Sequence, residues 1–543
     1  MSLAKGELPA LPVKDLSDAL DEALTGKLGE LLPEHVATRR WFRSKTKTIG
    51  KIEVEDVLEL TETRAHFLIL KITYADGDDD RYILPVSVAP AELSGLDESI
   101  AELISETGER GILYSALGDL AFRAALLHAI VCEASIKGSN GLLIASRTAA
   151  LRKKCGSSGP PQIDSFVSRA EQSNTSIIYR DHYILKLFRK LEAGINPDLE
   201  IGKFLTERGF KNTPAVLGSV EYRSMQGDAC YAAALLQQFV PNQGDAWSHT
   251  LHALGHFFSK ALASKRKPAN LPSEHPLKLI GQEVPSELRS FIGSYLESAA
   301  LLGRRTAEMH SALADANGGP DFAPEAFVAD DARQLHQDLS RQADVTFGLL
   351  RRKQAVLAGE VADQAHELLR NEHSVYERFA DLEQHPISAF RIRHHGDYHL
   401  GQVLYTGQDF MIIDFEGEPA RPLSERRAKA LALRDVAGMI RSFQYAAFAA
   451  LFGQVPGIPD DPESLKLVER WAAAWNAHVS ATYLRAYFEE ARDLPFVPSD
   501  WTERRRLLDA FLLQKALYEI AYELNNRPDW LPIPLRGVLG LVV

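Results

Sequence analysis

His395-Gly-Asp-Tyr-His-Leu-Gly-Gln-Val-Leu404, followed by Met411-Ile-Ile-Asp-Phe-Glu416, decides the reading of this 543-residue chain. Asp397 and Gln402 stand five residues apart in one short loop. Val403-Leu-Tyr405 and Phe410-Met-Ile-Ile413 read as two small strands joined by the turn Thr406-Gly-Gln-Asp409. Such a hairpin returns Asp414 to the side of Gln402. Asp397 then suits the acceptance of a hydroxyl proton. Gln402 and Asp414 suit Mg2+, a hard cation that takes oxygen ligands and few protein carboxylates. Phosphoryl transfer asks for this set of groups. A purely structural loop capped by an aspartate does not explain why all three converge.

A phosphate-handling lysine is the next requirement. Lys186 sits in Ile184-Leu-Lys-Leu-Phe188, an apolar strand in which a charge asks for a partner or a ligand. Glu200, on the helix expected from Pro197, is the partner predicted for it. No Gly-rich loop precedes Lys186. Glu171-Gln-Ser-Asn-Thr-Ser176 stands in its place, where Ser173, Asn174 and Thr175 offer hydroxyls, an amide and backbone N–H groups to phosphate. Gln238 and Val240, around Phe239, are placed as the hinge whose backbone meets adenine.

An acceptor face is legible further on. Segment 511–526 reads as a helix ended by Arg527-Pro528. Lys515, Tyr518, Glu519 and Tyr522 share one of its faces by their spacing. A cation, a carboxylate and two phenols suit a sugar, which needs hydroxyl-directed hydrogen bonds and flat aromatic surfaces. Arg421 and Asp435 follow the second half of the motif. Asp435 is equally suited to pairing within the core, and His395 to shaping the loop rather than binding metal.

The pattern HGDxHxGQ…IIDFE resembles the aminoglycoside-phosphotransferase-like branch of the protein-kinase-like fold. Glu171–Ser176, Leu185–Phe188, Asn196–Ile201, Phe239–Asn242, Asp414–Pro422, Leu433–Met439 and Lys515–Pro534, together with Arg40-Trp-Phe42, look like the maltokinase family. The resemblance implies an α+β, bilobal protein-kinase-like fold with an N-terminal α/β cap, a strand-rich nucleotide lobe and a large helical C-lobe. The expected division is 1–120 for the cap, 121–240 for the nucleotide lobe with an intermediate segment, and 241–543 for the helical lobe. It further implies ATP and Mg2+ as cofactors and transfer to the anomeric hydroxyl of maltose. Maltose 1-phosphate would then feed glycogen-type α-glucan synthesis. Lys515, Tyr518 and Tyr522 match the maltose-contacting positions, and trehalose synthase is the family's frequent fusion or partner. Two alternatives stay open: a kinase of another sugar or aminosugar, and a nonenzymatic scaffold for trehalose synthase.

The remaining chain fits this order. Residues 16–35 read as an amphipathic helix, with Leu20, Leu24, Leu28 and Leu31 at helical spacing. Strands follow at Ile52–Val57, Phe67–Ile72 and Tyr82–Val86, the last two joined through Asp76-Gly-Asp-Asp-Asp80. A mixed stretch with a helix near 119–133 leads to a breaker cluster at 155–161, where a boundary is expected. Ser176–Tyr179 and Tyr183–Phe188 form a further hairpin, 231–240 is strand-like, and the chain is mostly helical from about 246. A Pro-rich insert lies around 267–276.

Charge excludes some functions. Sixty-one Lys and Arg against 73 Asp and Glu give a net of −12, and the basic runs 152–154 and 504–506 are short, so no nucleic acid is expected as partner. No apolar stretch is of membrane-spanning length, so no membrane is expected either. Three cysteines without CxxC spacing argue against a disulfide framework or zinc. A cytoplasmic protein is expected.

Overall fold

The computed structural model describes residues 8–16, 20, 22–61, 63–92, 98–155, 163–168, 173–264, 275–458 and 461–542. It divides into two compact units, Met1–Pro241 and Asn242–Val543. Glu171 and Gln172, most of the breaker cluster and most of the Pro-rich insert lie outside the described residues.

The first unit runs β1 (Ala10–Val13), α1 (Glu22–Ala37), β2 (Ile49–Glu59), β3 (Ala65–Tyr74), β4 (Asp79–Pro90), β5 (Ser99–Ser105), β6 (Arg110–Ser115), α2 (Leu120–Val131), β7 (Ser135–Lys137), β8 (Gly141–Arg147), α3 (Ala149–Cys155), β9 (Ser165–Val167), β10 (Thr175–Tyr179), β11 (Tyr183–Leu187), β12 (Lys190–Leu191), α4 (Pro197–Glu207), β13 (Val216–Ser224) and β14 (Cys230–Gln238). Two sheets result. One has the order β1-β5-β6-β4-β3-β2, with β12 added on β4. The other has the order β7-β8-β13-β14-β11-β10-β9.

Side-chain alternation explains why β3 reads as unbroken apolar sequence. Leu68, Leu70 and Ile72 pack with Leu28, Leu32 and Val36 of α1 and with Trp41 and Phe42. Phe67 and Ile69 face the other way, into a core shared with Leu185, Leu187, Leu143 and Leu236 of the second sheet. A strand covered on both faces has no polar side to show. Asp56 is buried at 3% exposure and accepts from the Tyr222 hydroxyl at 2.9 Å and the Asn140 N–H at 3.0 Å. These bonds also join the two sheets.

The expected hairpins at 67–86 and 176–188 are present, in antiparallel register Leu70↔Tyr82 and Ser176↔Lys186. Strands β5, β6, β7, β8 and β13 were not legible. Gly218 interrupts the apolar run of β13, because a Cβ there would meet Ile130 Cγ2 at 2.4 Å and the Ser146 carbonyl oxygen at 2.6 Å. The second sheet takes β7 and β8 from before the breaker cluster and β9 to β11 from after it, so no sheet boundary falls there.

The second unit runs α5 (Ala246–Ala263), α6 (Pro276–Leu279), α7 (Ser286–Ile292), α8 (Tyr295–Leu313), β15 (Glu325–Ala326), α9 (Ala329–Lys353), α10 (Gly359–Arg370), α11 (Glu372–Gln384), β16 (Phe390–Arg391), β17 (Val403–Tyr405), β18 (Phe410–Ile412), α12 (Leu423–Arg427), α13 (Leu433–Ala449), α14 (Pro462–Glu490), α15 (Trp501–Asn526) and α16 (Pro532–Val542). Helix α15 begins at an Asp500 cap, whose carboxylate accepts from the Thr502 and Glu503 N–H groups. Helices α8 and α14 lie in close contact at Gly303, where a Cβ would stand 2.3 Å from the Tyr483 carbonyl oxygen. Gly303→Ala must push these helices apart. We expect it to lower unfolding stability by about 1–3 kcal/mol, read as an earlier urea midpoint; an unchanged midpoint would contradict the packing.

Candidate active site

The motif loop of the second unit is organised around a buried carboxylate. Asp435, in the first turn of α13, is 1% exposed. Its Oδ2 accepts the His395 N–H at 2.7 Å and its Oδ1 accepts the Gly396 N–H at 3.0 Å. Its Oδ2 also lies 3.1 Å from His310 Nε2, and the other nitrogen of His310 is 3.0 Å from the Tyr487 hydroxyl. Burial works to raise the Asp435 pKa, but the His310 hydrogen bond and the neighbouring histidines outweigh it and hold the carboxyl well below its usual range. Of the two roles open to Asp435, the structure shows pairing within the core.

His395 completes the clamp. Its Nε2 lies 2.9 Å from the Ile413 carbonyl oxygen, which ties the loop to the end of β18, and its ring packs on Phe415 with centroids 4.9 Å apart. Gly396 takes φ +85°, and a Cβ there would meet Gly417 Cα at 3.2 Å. The loop is therefore fixed on the N-terminal side of Asp397.

Asp397 points one oxygen at Lys515 Nζ, 3.1 Å away, and the other at His399 Nε2, 4.0 Å away. Burial pulls the Asp397 pKa up, but Lys515 and then His399 leave it below the usual value. Lys515 is pushed the opposite way: burial disfavours its charge, yet Asp397, Glu418 and Glu519 raise its pKa overall. The pair is a carboxylate and an ammonium.

The hairpin expected between Gln402 and Asp414 is present. Strands β17 and β18 pair with Val403 opposite Ile412, and the Ile413 N–H donates to the Gln402 carbonyl at 3.0 Å. Asp414 adopts φ +66°, a left-handed conformation that a non-glycine residue takes at a cost and that marks functional sites. Carboxylate oxygens of Asp414 and Glu416 lie within 4.8 Å of each other. Two carboxylates so placed fit a hard divalent cation. Glu416 was quoted in the motif but not assigned to metal, because a fourth-position carboxylate has no signature in sequence alone.

The acceptor face is built as its spacing predicted, with one qualification. Lys515, Tyr518 and Tyr522 line a cavity of about 540 Å³ together with Asp397, His399, Tyr445 and Trp530. Lys515 Nζ is 5.0 Å from the centre of the Tyr518 ring. Glu519 also borders this cavity, but its Oε2 accepts from Arg441 Nε at 2.9 Å in a buried ion pair. Arg421 borders a smaller recess beside Asp397 and pairs with Glu418 at 2.7 Å. Trp530, Tyr445 and Glu418 were missed. Their aromatic or acidic character is ordinary, and only the fold brings them to the cavity.

In the first unit, Lys186 is 9% exposed, and its Nζ donates to Asp198 Oδ2 at 3.0 Å. Asp198 sits in the first turn of α4, after an Asn196 cap and Pro197, two positions before the predicted partner Glu200. Glu200 is partly buried in the same turn. Ser173 precedes β10, and Asn174 and Thr175 are buried at its start. The Gln238 N–H donates to the Ala215 carbonyl and the Phe239 N–H to the His182 carbonyl, while Val240 follows the end of β14.

The chain has a protein-kinase-like fold. Residues 35–119 match the maltokinase N-terminal cap domain, and longer stretches of the chain are similar to sugar kinases. A glucosamine kinase of Mycolicibacterium smegmatis is 24% identical over 378 residues, covering 68% of this chain and 78% of that protein. Another, from Streptacidiphilus jiangxiensis, is 28% identical over 244 residues, 45% of this chain and about half of the relative, 49%. Among solved structures, a glucosamine kinase in complex with glucosamine, ADP and inorganic phosphate has TM-score 0.58 at 19% identity, covering 94% of this chain and 99% of that one.

Asp435→Ala strands two loop N–H groups and His310. We expect about 3 kcal/mol or more of lost stability at pH 7, seen as a lower thermal midpoint. Because the Asp435 pKa is depressed on folding, its contribution is full above the ordinary carboxylate value of about 3.9 and fades as pH falls below it. The gap between wild type and variant therefore narrows in acid; a gap that widens there would contradict this account.

Proposed function

We propose that the chain is an ATP-dependent kinase that phosphorylates a small saccharide, with maltose as acceptor and maltose 1-phosphate as product. The observation that carries this reading is the Asp397–Lys515 pair bordering an aromatic-walled cavity of about 540 Å³. That volume lies within the range of small-molecule sites. Tyr518, Tyr522, Tyr445 and Trp530 offer flat surfaces to sugar rings, and the cavity has room for two.

In this reading Asp397 orients the acceptor hydroxyl and takes its proton. Its depressed pKa keeps it ionised across the working range. Lys515 holds Asp397 in place and donates to a sugar oxygen, and Tyr518 and Tyr522 seat the ring faces. Glu519 and Arg421 set the walls from within their ion pairs. Lys186, positioned by Asp198, serves the ATP phosphates, with Ser173 and the backbone N–H groups of Asn174 and Thr175 at the strand start, Glu200 in the adjoining helical turn, and Gln238 and Val240 on the adenine. Gln402 and Asp414, with Glu416 beside them, would hold Mg2+, which neutralises phosphate charge when bound. Catalysis rests on positioning and on charge. Among the described residues no helix is long and apolar enough to cross a membrane, and a cytoplasmic enzyme partnered with trehalose synthase in α-glucan metabolism completes the proposal.

A second reading, glucosamine as acceptor, is favoured by the named activity of both relatives. Glu418 and Glu523 near the cavity would suit an ammonium group. A coupled ADP-release assay with Mg·ATP against maltose, glucose, glucosamine and trehalose separates the two, with ³¹P NMR locating the phosphate. Maltose-dependent release with an anomeric phosphate is expected. Release with glucosamine alone selects the second reading, and release with none of the four contradicts the kinase proposal.

Lys515→Met tests the charge logic. Lys515 lowers the Asp397 pKa, so its removal raises it. We expect the acid limb of kcat/KM to move up by about one pH unit, on top of a lower maximum. An acid limb that stays in place would remove Asp397 as the titrating base.

A further inference from the structure

A second cavity, of about 710 Å³, lies wholly within the first unit. Its walls come from the segment after α1 (Arg39, Arg40, Trp41), from Ser115 at the end of β6, from Arg123 of α2, and from Phe166, Asn174 and Thr175 on β9 and at the start of β10. It is distinct from the face that bears Lys186. Ser176 stands opposite Lys186 in the β10–β11 register, so those two side chains share one face and Thr175 points to the other.

The chemistry of its lining is one-sided. Arg123 is 8% exposed and donates only to neutral acceptors, the Leu117 carbonyl at 2.6 Å and Ser165 at 2.9 Å. Arg39 pairs with Glu98 at 3.2 Å, the one carboxylate of the lining among the described residues, and among these its Nε has no hydrogen-bond partner. Arg40 is exposed at the rim. Arg189 lies behind Trp41, its guanidinium carbon 4.3 Å from the ring centre. It is fully buried, and among the described residues none of its three guanidinium nitrogens has a hydrogen-bond partner. Trp41 Nε1 and Ser115 Oγ, both buried, are likewise unpartnered. Burying donors and cations without acceptors is costly. Among the described residues three arginines line the cavity beside one carboxylate, with Arg189 behind them, in a chain whose net charge is −12. The same electrostatics push the pKa of His35, behind this wall, down to about 3, through burial and then through Arg39 and Arg189.

We propose that this cavity binds a phosphate dianion, free or as the head of a small monoester, and that its occupant ties the cap segment 39–41 to the start of β10. Arg39, Arg40 and Arg123, which line the cavity, would take the phosphate oxygens. Phe166, 56% exposed, would cover an organic remainder. Because Asn174 and Thr175 form part of both the cavity wall and the strand leading to Lys186, occupancy would be felt on the nucleotide side of β10.

The test is isothermal titration of the full chain, saturated with ADP, with inorganic phosphate, with glucose 6-phosphate and with glucose. Saturable binding of either phosphate species in the presence of ADP is expected, and the tighter of the two identifies the source. Arg40→Ala, a surface change that leaves the core untouched, and Arg39→Ala should each weaken it at least tenfold. No saturable phosphate binding, binding that ADP abolishes, equal binding of glucose, or equal affinity in both arginine variants would overturn the proposal.

Discussion

A single carboxylate with three hydrogen-bond donors underlies the site. Asp435 holds the backbone on the N-terminal side of Asp397 through two N–H groups and is itself held by His310. Its burial makes the arrangement all-or-none: a buried carboxylate is stable only while every partner is in place. His395 extends the constraint to Ile413, and the β17–β18 hairpin extends it to Gln402 and Asp414. Helices α8, α13 and α15 and a hairpin therefore converge on a loop that has almost no freedom of its own. Preorganisation of this kind is what positional catalysis requires.

Ion pairs set the remaining geometry. Glu519 is locked to Arg441 inside the unit, and this fixes the rotation of α15 about its axis. Lys515, one turn earlier, is thereby turned towards Asp397, and Tyr518 and Tyr522 towards the cavity. Lys186 and Asp198 do the same for the first unit, joining strand β11 to helix α4. In each case a partly or fully buried charge is answered by a partner on another element, so one bond places two elements.

Much of this was visible in the residues. The spacing of Asp397, Gln402 and Asp414 implied a hairpin, and the hairpin exists. The shared face of Lys515, Tyr518, Glu519 and Tyr522 followed from helical geometry alone. What escaped depends on contacts across long sequence separations. Whether Asp435 serves substrate or core is decided by His310, far upstream. Asp198 and Glu200 share the first turn of α4, and only the angle at which that helix meets β11 brings Asp198 to Lys186. Trp530 and Tyr445 join the cavity through tertiary packing that no local pattern announces. Strand β13 hid behind Gly218, whose missing side chain serves Ile130 and Ser146 rather than a turn.

The central claim is that Asp397, held by this clamp, carries the transfer step. The most direct measurement is the rate of ADP release by Asp397→Asn at saturating Mg·ATP and saccharide, beside its affinity for a fluorescent ATP analogue. The account predicts turnover reduced by about a thousandfold or more with nucleotide affinity unchanged. Near-normal turnover in a folded, nucleotide-binding variant would contradict it.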